Sequence, residues 1–227
     1  MIWPSPFDFR RRRPRAIWEV PPQPRTCPML LRFSATSPFV RKVRVAAALL
    51  GQTLEIEPAD TLDPNDTLRS QNPLGKVPAL LTDDGQVLFD SSVILAYLDM
   101  LAGGGRILPA DPKARIAALR KEALADGMMD AGILLLYEGR FRPVEKHEPK
   151  WLEHQEGKRS RALDAFEADA VPFDGAITVG DIALACALGW FDFRFEGKWR
   201  ADHPRLVAWY EAFAAACPHF ADSTPAA

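Results

Sequence analysis

The sequence predicts an α/β segment followed by an all-helical one. Short apolar runs flank a helical pattern within residues 29–103, an Asp83-Asp84-Gly85 turn joins two more such runs, and beyond Pro112 only helical periodicity remains. The stretch Pro109-Ala110-Asp111-Pro112 marks the change, so residues 104–111 read as a linker and 112–220 as a helical domain.

Leu30-Leu31-Arg32-Phe33 is an apolar run, and Ser37-Pro38 opens a helix after a polar turn. Serine is a favoured N-cap, and proline suits the first helical position, where its missing N–H costs nothing. Phe39, Val43, Ala46, Ala47 and Leu50 recur at helical spacing up to Gly51, which leaves Arg41, Lys42 and Arg44 for a solvated face. Leu54 and Ile56 alternate with Thr53, Glu55 and Glu57 as a half-buried strand, parallel to the first because a helix crosses between them. Ala59 to Gly75 reads as irregular with at most one short helix, and Val77-Pro78-Ala79-Leu80-Leu81 pairs with Gln86-Val87-Leu88-Phe89 as a hairpin. Asp90-Ser91-Ser92 caps the next helix, with Val93, Tyr97 and Leu101 on its apolar face and Gly103-Gly104-Gly105 at its end.

After the linker, helices are expected over roughly 113–138, 149–170, 179–192 and 203–217. Thr178 and Asp181 form a capping box with Ile177 and Ile182 as its hydrophobic staple, which accounts for Asp181 without a catalytic role. Glu122, Asp126 and Asp130 share one helix face and read as exposed, while Met128, Met129 and Tyr137 read as core, with a second-substrate pocket as the alternative.

Composition narrows the classes. With 48% hydrophobic and 26% charged residues the chain reads as a soluble globular protein, and a net charge of −2 gives no reason to expect nucleic acid or an anionic membrane as partner. No apolar run is long enough to span a bilayer. Cys27, Cys186 and Cys217 are far apart, and the four histidines show no ligand spacing, so no metal is expected and a reducing cytoplasm fits best. Residues 1–28 hold seven prolines and six arginines against Asp8 and Glu19; they read as an irregular extension, with Met29 as a candidate true start.

The chemistry centres on Ser37. Free N–H groups and the positive end of a helix dipole converge there, a place suited to phosphate, carboxylate or thiolate.

Three motifs give that anion an identity: Thr36-Ser37-Pro38-Phe39, Asn72-Pro73-Leu74-Gly75-Lys76-Val77-Pro78 and Phe89-Asp90-Ser91. With the Thr178–Asp181 box they make the chain, from residue 29 to about 220, resemble the glutathione transferase superfamily; the Ser-Pro-Phe motif is similar to plant tau-type and uncharacterised bacterial transferases. The resemblance implies a thioredoxin-like glutathione-binding domain over 29–103, a helical bundle after it, and a homodimer. It implies that the Ser37 hydroxyl donates to the glutathione sulfur, with Ser34 and Thr36 as fallback donors. Phe39 joins the glutathione site, Val77 before a cis-proline pairs with the cysteinyl unit, and Lys76 meets a carboxylate. Ser91 is implied for the γ-glutamyl carboxylate and Asp90 for its ammonium.

A free thiol titrates near 8.5, and a hydroxyl lowering that by about two units supplies about 2.7 kcal/mol. Serine at position 37 cannot form a mixed disulfide, which favours conjugation over thiol exchange. The implied substrates are glutathione and a small hydrophobic electrophile, as in detoxification. A non-catalytic binding protein on the same fold and a glutathione-dependent isomerase, reductase or dehalogenase are the alternatives.

Overall fold

The computed structural model describes residues 29–170 and 172–224. The expectations for residues 1–28, Cys27 included, lie outside the described residues.

Strand β1 (Leu30–Phe33) leads into α1 (Pro38–Leu49), β2 (Glu55–Pro58) and the single turn α2 (Leu68–Gln71). The hairpin β3 (Ala79–Leu81) and β4 (Val87–Leu88) follows, then α3 (Ser91–Leu101). The sheet order is β2-β1-β3-β4, with β1 parallel to β2 and antiparallel to β3, and Leu31 paired with both Ile56 and Leu80. Leu31 and Leu80 join Val43 and Ala46 of α1 and Ile94, Leu95 and Leu98 of α3 in the core. This is the thioredoxin-like half that the motifs imply.

Three expectations for this half fail, at β2, at α3 and at Arg41 and Lys42 of α1. β2 is exposed at every residue and Ile56 keeps 50% of its surface, because β2 is the sheet edge and has a neighbour only in β1. In α3, Val93 and Leu101 are exposed, and Ile94, Leu95 and Leu98 form the core face instead. The helix is apolar almost all round, so periodicity could not choose its rotation. Asp99 does: its buried carboxylate accepts the backbone N–H groups of Gly105, Arg106 and Ile107 at 2.8–2.9 Å, tying the glycine turn to one side of α3.

The remainder is helical: α4 (Pro112–Phe141), α5 (Pro149–Asp169), α6 (Val179–Phe195), α7 (Pro204–Ala216) and the short α8 (Pro218–Asp222), which the sequence did not announce. Helix α6 is the central rod, buried from Val179 to Phe191. Its capping box forms as expected: Thr178 N–H donates to Asp181 Oδ2 at 2.8 Å and Asp181 N–H to Thr178 Oγ1 at 3.4 Å. Close approach to α4 depends on Gly132, where an added Cβ would stand 2.8 Å from Trp190 and 2.9 Å from Phe191. Helix α1 packs between α3 and α6, so the face expected to be solvated is interior, and Arg41 and Lys42 are both buried. Arg41 donates to the Phe220 carbonyl at 2.8 Å and to Ser223 Oγ at 3.2 Å, its guanidinium 3.8 Å from the Phe220 ring, which fastens α8 to α1.

Candidate functional site

Ser37 is the N-cap of α1, with an extended backbone and an Oγ that accepts the Val40 N–H at 3.3 Å. Its own N–H donates to the Ser34 carbonyl at 3.1 Å, closing the polar turn. That turn forms part of the wall of a cleft of about 980 Å³ lined by Ser34, Thr36, Ser37, Phe39, Lys76 and Val77 on one side. The other side is helical: Asp130, Ile133, Leu134, Leu136, Tyr137 and Arg140 from α4, and Trp190 and Arg194 from α6. Trp190 Nε1 donates to the Thr36 carbonyl at 3.1 Å, so α6 holds the Ser37 loop directly. A smaller cavity of about 210 Å³, between α4, α5 and α7, contains none of the expected site residues.

The Val77–Pro78 bond is cis, and Val77 and Lys76 face the cleft with Ser37. Asn72 shapes their loop from inside, its Nδ2 donating to the Lys76 carbonyl at 2.8 Å while its Oδ1 accepts the Leu74 N–H at 3.0 Å. Asp90 and Ser91 lie beside this cleft rather than in its wall. Asp90 caps α3, accepting the Ser92 N–H at 3.1 Å, and is exposed. Ser91 is buried, and its Oγ accepts from Lys42 Nζ at 3.2 Å.

That contact belongs to a buried ionic cluster. Lys42, with no exposed surface, donates to Glu122 Oε1 at 2.9 Å and to Asp126 Oδ1 at 2.7 Å, and Ser92 Oγ donates to Asp126 Oδ2 at 3.2 Å. Glu122 is buried rather than on an exposed face, because α4 turns its carboxylates toward the only ammonium on the inner side of α1 within their reach. Burial pulls the Lys42 pKa down, but Asp126 and Glu122 together outweigh it and the value is raised. Burial also raises the Asp126 carboxyl, against the attraction of Lys42. With one Ser91 lone pair taken by Lys42, the hydroxyl proton is left for another acceptor.

Sequence reasoning missed Lys42; three carboxylates at i, i+4 and i+8 were the signal, since such a stripe needs a cation if it faces inward. Asp130, the third, stands in the cleft with its pKa raised by desolvation, Lys76 opposing and Asp90 adding to the shift. Met128 and Met129 are core, whereas Tyr137 lines the cleft. Cys186 is buried, its thiol pushed up by burial to about 12, so it offers no nucleophile. Among the described residues no group of three or more His, Cys, Asp or Glu is placed to hold a metal ion, and no helix is long and apolar enough to cross a membrane.

Comparison with known proteins points to one family. Residues 36–101 match the family model of the glutathione S-transferase N-terminal domain, and residues 149–212 that of the C-terminal domain. An uncharacterized GST-like protein of Escherichia coli, YibF, is 36% identical over 183 residues, spanning 79% of this chain and 90% of that one. A glutathione transferase family member from Pseudomonas fluorescens, solved with bound glutathione, is 41% identical with a TM-score of 0.80, covering 88% of this chain and 100% of that one. A glutathione S-transferase from Methylobacillus flagellatus, also with glutathione bound, gives 35% identity and a TM-score of 0.81 over 87% of this chain and 100% of that one.

Proposed function

The chain belongs to the glutathione transferase family, and we propose that it binds glutathione and activates its thiol for attack on an electrophile held in the cleft. The observation that carries this is Ser37 itself: a hydroxyl at the N-terminus of α1, in the wall of a cleft whose facing side is largely apolar. Its oxygen already accepts the Val40 N–H, so its proton is free to point at a sulfur. A thiolate there gains that hydrogen bond and the helix dipole. Attack forms a carbon–sulfur bond and expels the leaving group with its electron pair.

In this reading the tripeptide lies along Lys76, Val77, Asp90 and Ser91, with Phe39 against it. The glutathione-bound relatives from Pseudomonas and Methylobacillus support the ligand. The domain division at residues 29–103 and 112–220, a homodimer and a cytoplasmic location belong to the same proposal. Exposed Val93, Met100 and Leu101 on α3 and Ile116 on α4 offer apolar surface for a second copy. Sedimentation at micromolar concentration tests the dimer.

The function is tested by retention on immobilised glutathione and by conjugation of chlorodinitrobenzene. Retention with conjugation that drops in Ser37→Ala is expected. Retention without any conjugation of a panel of aryl and alkyl halides would show a binding protein instead.

A further inference from the structure

Lys76, Val77, Asp90 and Ser91 account for the polar groups of glutathione in the reading above, yet the cleft carries two more cations on its opposite wall. Arg140 follows Tyr137 by three residues and Ile133 by seven on α4, so it continues the face that lines the cleft. Arg194 follows Trp190 by four on α6, one turn beyond the side chain that holds the Thr36 carbonyl. Both are exposed, at the solvent end of the apolar wall. Among the described residues neither has a carboxylate within 4.0 Å, whereas the nearby Arg142, Arg159 and Arg200 are paired with Glu138, Glu156 and Asp192. Their contacts are aromatic: the Arg140 guanidinium lies 5.8 Å from the Tyr137 ring centroid and that of Arg194 lies 4.4 Å from Phe193. Aromatic stacking leaves the edges of a guanidinium, where its donors are, open to an incoming anion. The cleft's own acids do not take them up: Asp130 is under the influence of Lys76, and Asp60 accepts the Leu62 N–H at 2.8 Å.

We propose that Arg140 and Arg194 supply a carboxylate-binding subsite, and that the second substrate is an amphipathic electrophile, apolar around its reacting carbon and anionic at its far end. This rests on the glutathione reading of the cleft. An aryl or alkyl body packs against Ile133, Tyr137 and Trp190, the reacting carbon faces the sulfur at Ser37, and the carboxylate reaches the guanidinium edges. The carboxylate takes no part in the bond exchange; it fixes which end of the molecule enters first. A purely apolar electrophile leaves both arginines to water and gains nothing from them.

Binding of reaction products separates the two readings without relying on turnover. The probes are S-methylglutathione, S-(4-carboxybenzyl)glutathione and the benzoate methyl ester of the latter, titrated calorimetrically into wild type and an Arg140→Gln/Arg194→Gln variant. The wild type is expected to bind the acid about tenfold more tightly than the ester, the scale of one charge-assisted hydrogen bond in a partly exposed site. The double variant is expected to lose that preference while holding S-methylglutathione as before. Equal wild-type affinity for acid and ester, or a preference that survives in the variant, overturns the subsite and leaves glutathione binding intact. A variant that loses S-methylglutathione in the same proportion also overturns it, since the arginines would then hold glutathione itself. Failure of all three probes to bind overturns both readings.

Discussion

Two serines stand at two helix N-termini, and their surroundings differ. Ser37 caps α1 at the edge of the cleft, half-buried, its oxygen receiving the Val40 N–H. Ser91 opens α3 in the interior, its oxygen held by an ammonium that two carboxylates of α4 fix in turn. The hydroxyl of the first is held by the turn of its own helix, in a loop that Trp190 of α6 braces at Thr36; the hydroxyl of the second is held by Lys42 of α1, which Glu122 and Asp126 of the helical half fix in turn. The proposed chemistry at Ser37 needs a free proton and room for a sulfur, and its place at the cleft offers both. In the proposed function Ser91 orients a fixed carboxylate, and such a group gains from the immobility that Lys42 gives it.

The contrast breaks most visibly at Lys42. Lys42→Met leaves the buried Glu122 and the half-buried Asp126 without a cation and should cost about 3 kcal/mol of stability in chemical denaturation. Adding Glu122→Gln and Asp126→Asn should restore most of it. The Lys42 pKa is raised above 10.5, so this stabilisation is whole below that value and is lost only as pH rises through the folded pKa; stability measured around neutrality should not vary from this source. Ser37→Ala comes next, with kcat/KM falling by about one to two orders of magnitude near pH 7 while KM for glutathione holds, because a thiol returned to its free pKa is mostly protonated. Ser91→Ala should do the reverse, raising KM for glutathione about tenfold with kcat nearly unchanged. Equal kinetic signatures for the two variants would erase the distinction. The smallest effect is expected at Cys186: with a thiol at about 12 it should resist alkylation in the native protein at mildly alkaline pH, and Cys186→Ser should conjugate as wild type does.

What the sequence made legible was local. Ser37 before Pro38 and Thr178 with Asp181 each announce their geometry within a few residues, and each forms as read, whereas the cis bond at Val77–Pro78 was implied by the family resemblance alone. Lys42 could not be read this way, since its partners stand 80 and 84 residues along the chain, and a lysine is buried only when such partners exist. The rotation of α3 was equally hidden, decided by one Asp99 carboxylate gathering backbone amides rather than by a pattern of apolar residues. Arg140 and Arg194 line one cleft through the packing of α4 against α6, which approach closely at Gly132, a tertiary fact with no local trace.

The central claim is that the Ser37 hydroxyl lowers the pKa of a bound glutathione thiol. Ultraviolet difference titration of the thiolate band in the binary complex measures this directly in wild type and Ser37→Ala. The account predicts a wild-type value about two units below the free thiol's 8.5 and a return toward 8.5 in the variant. A bound thiol that titrates at the same pH in both proteins would contradict it.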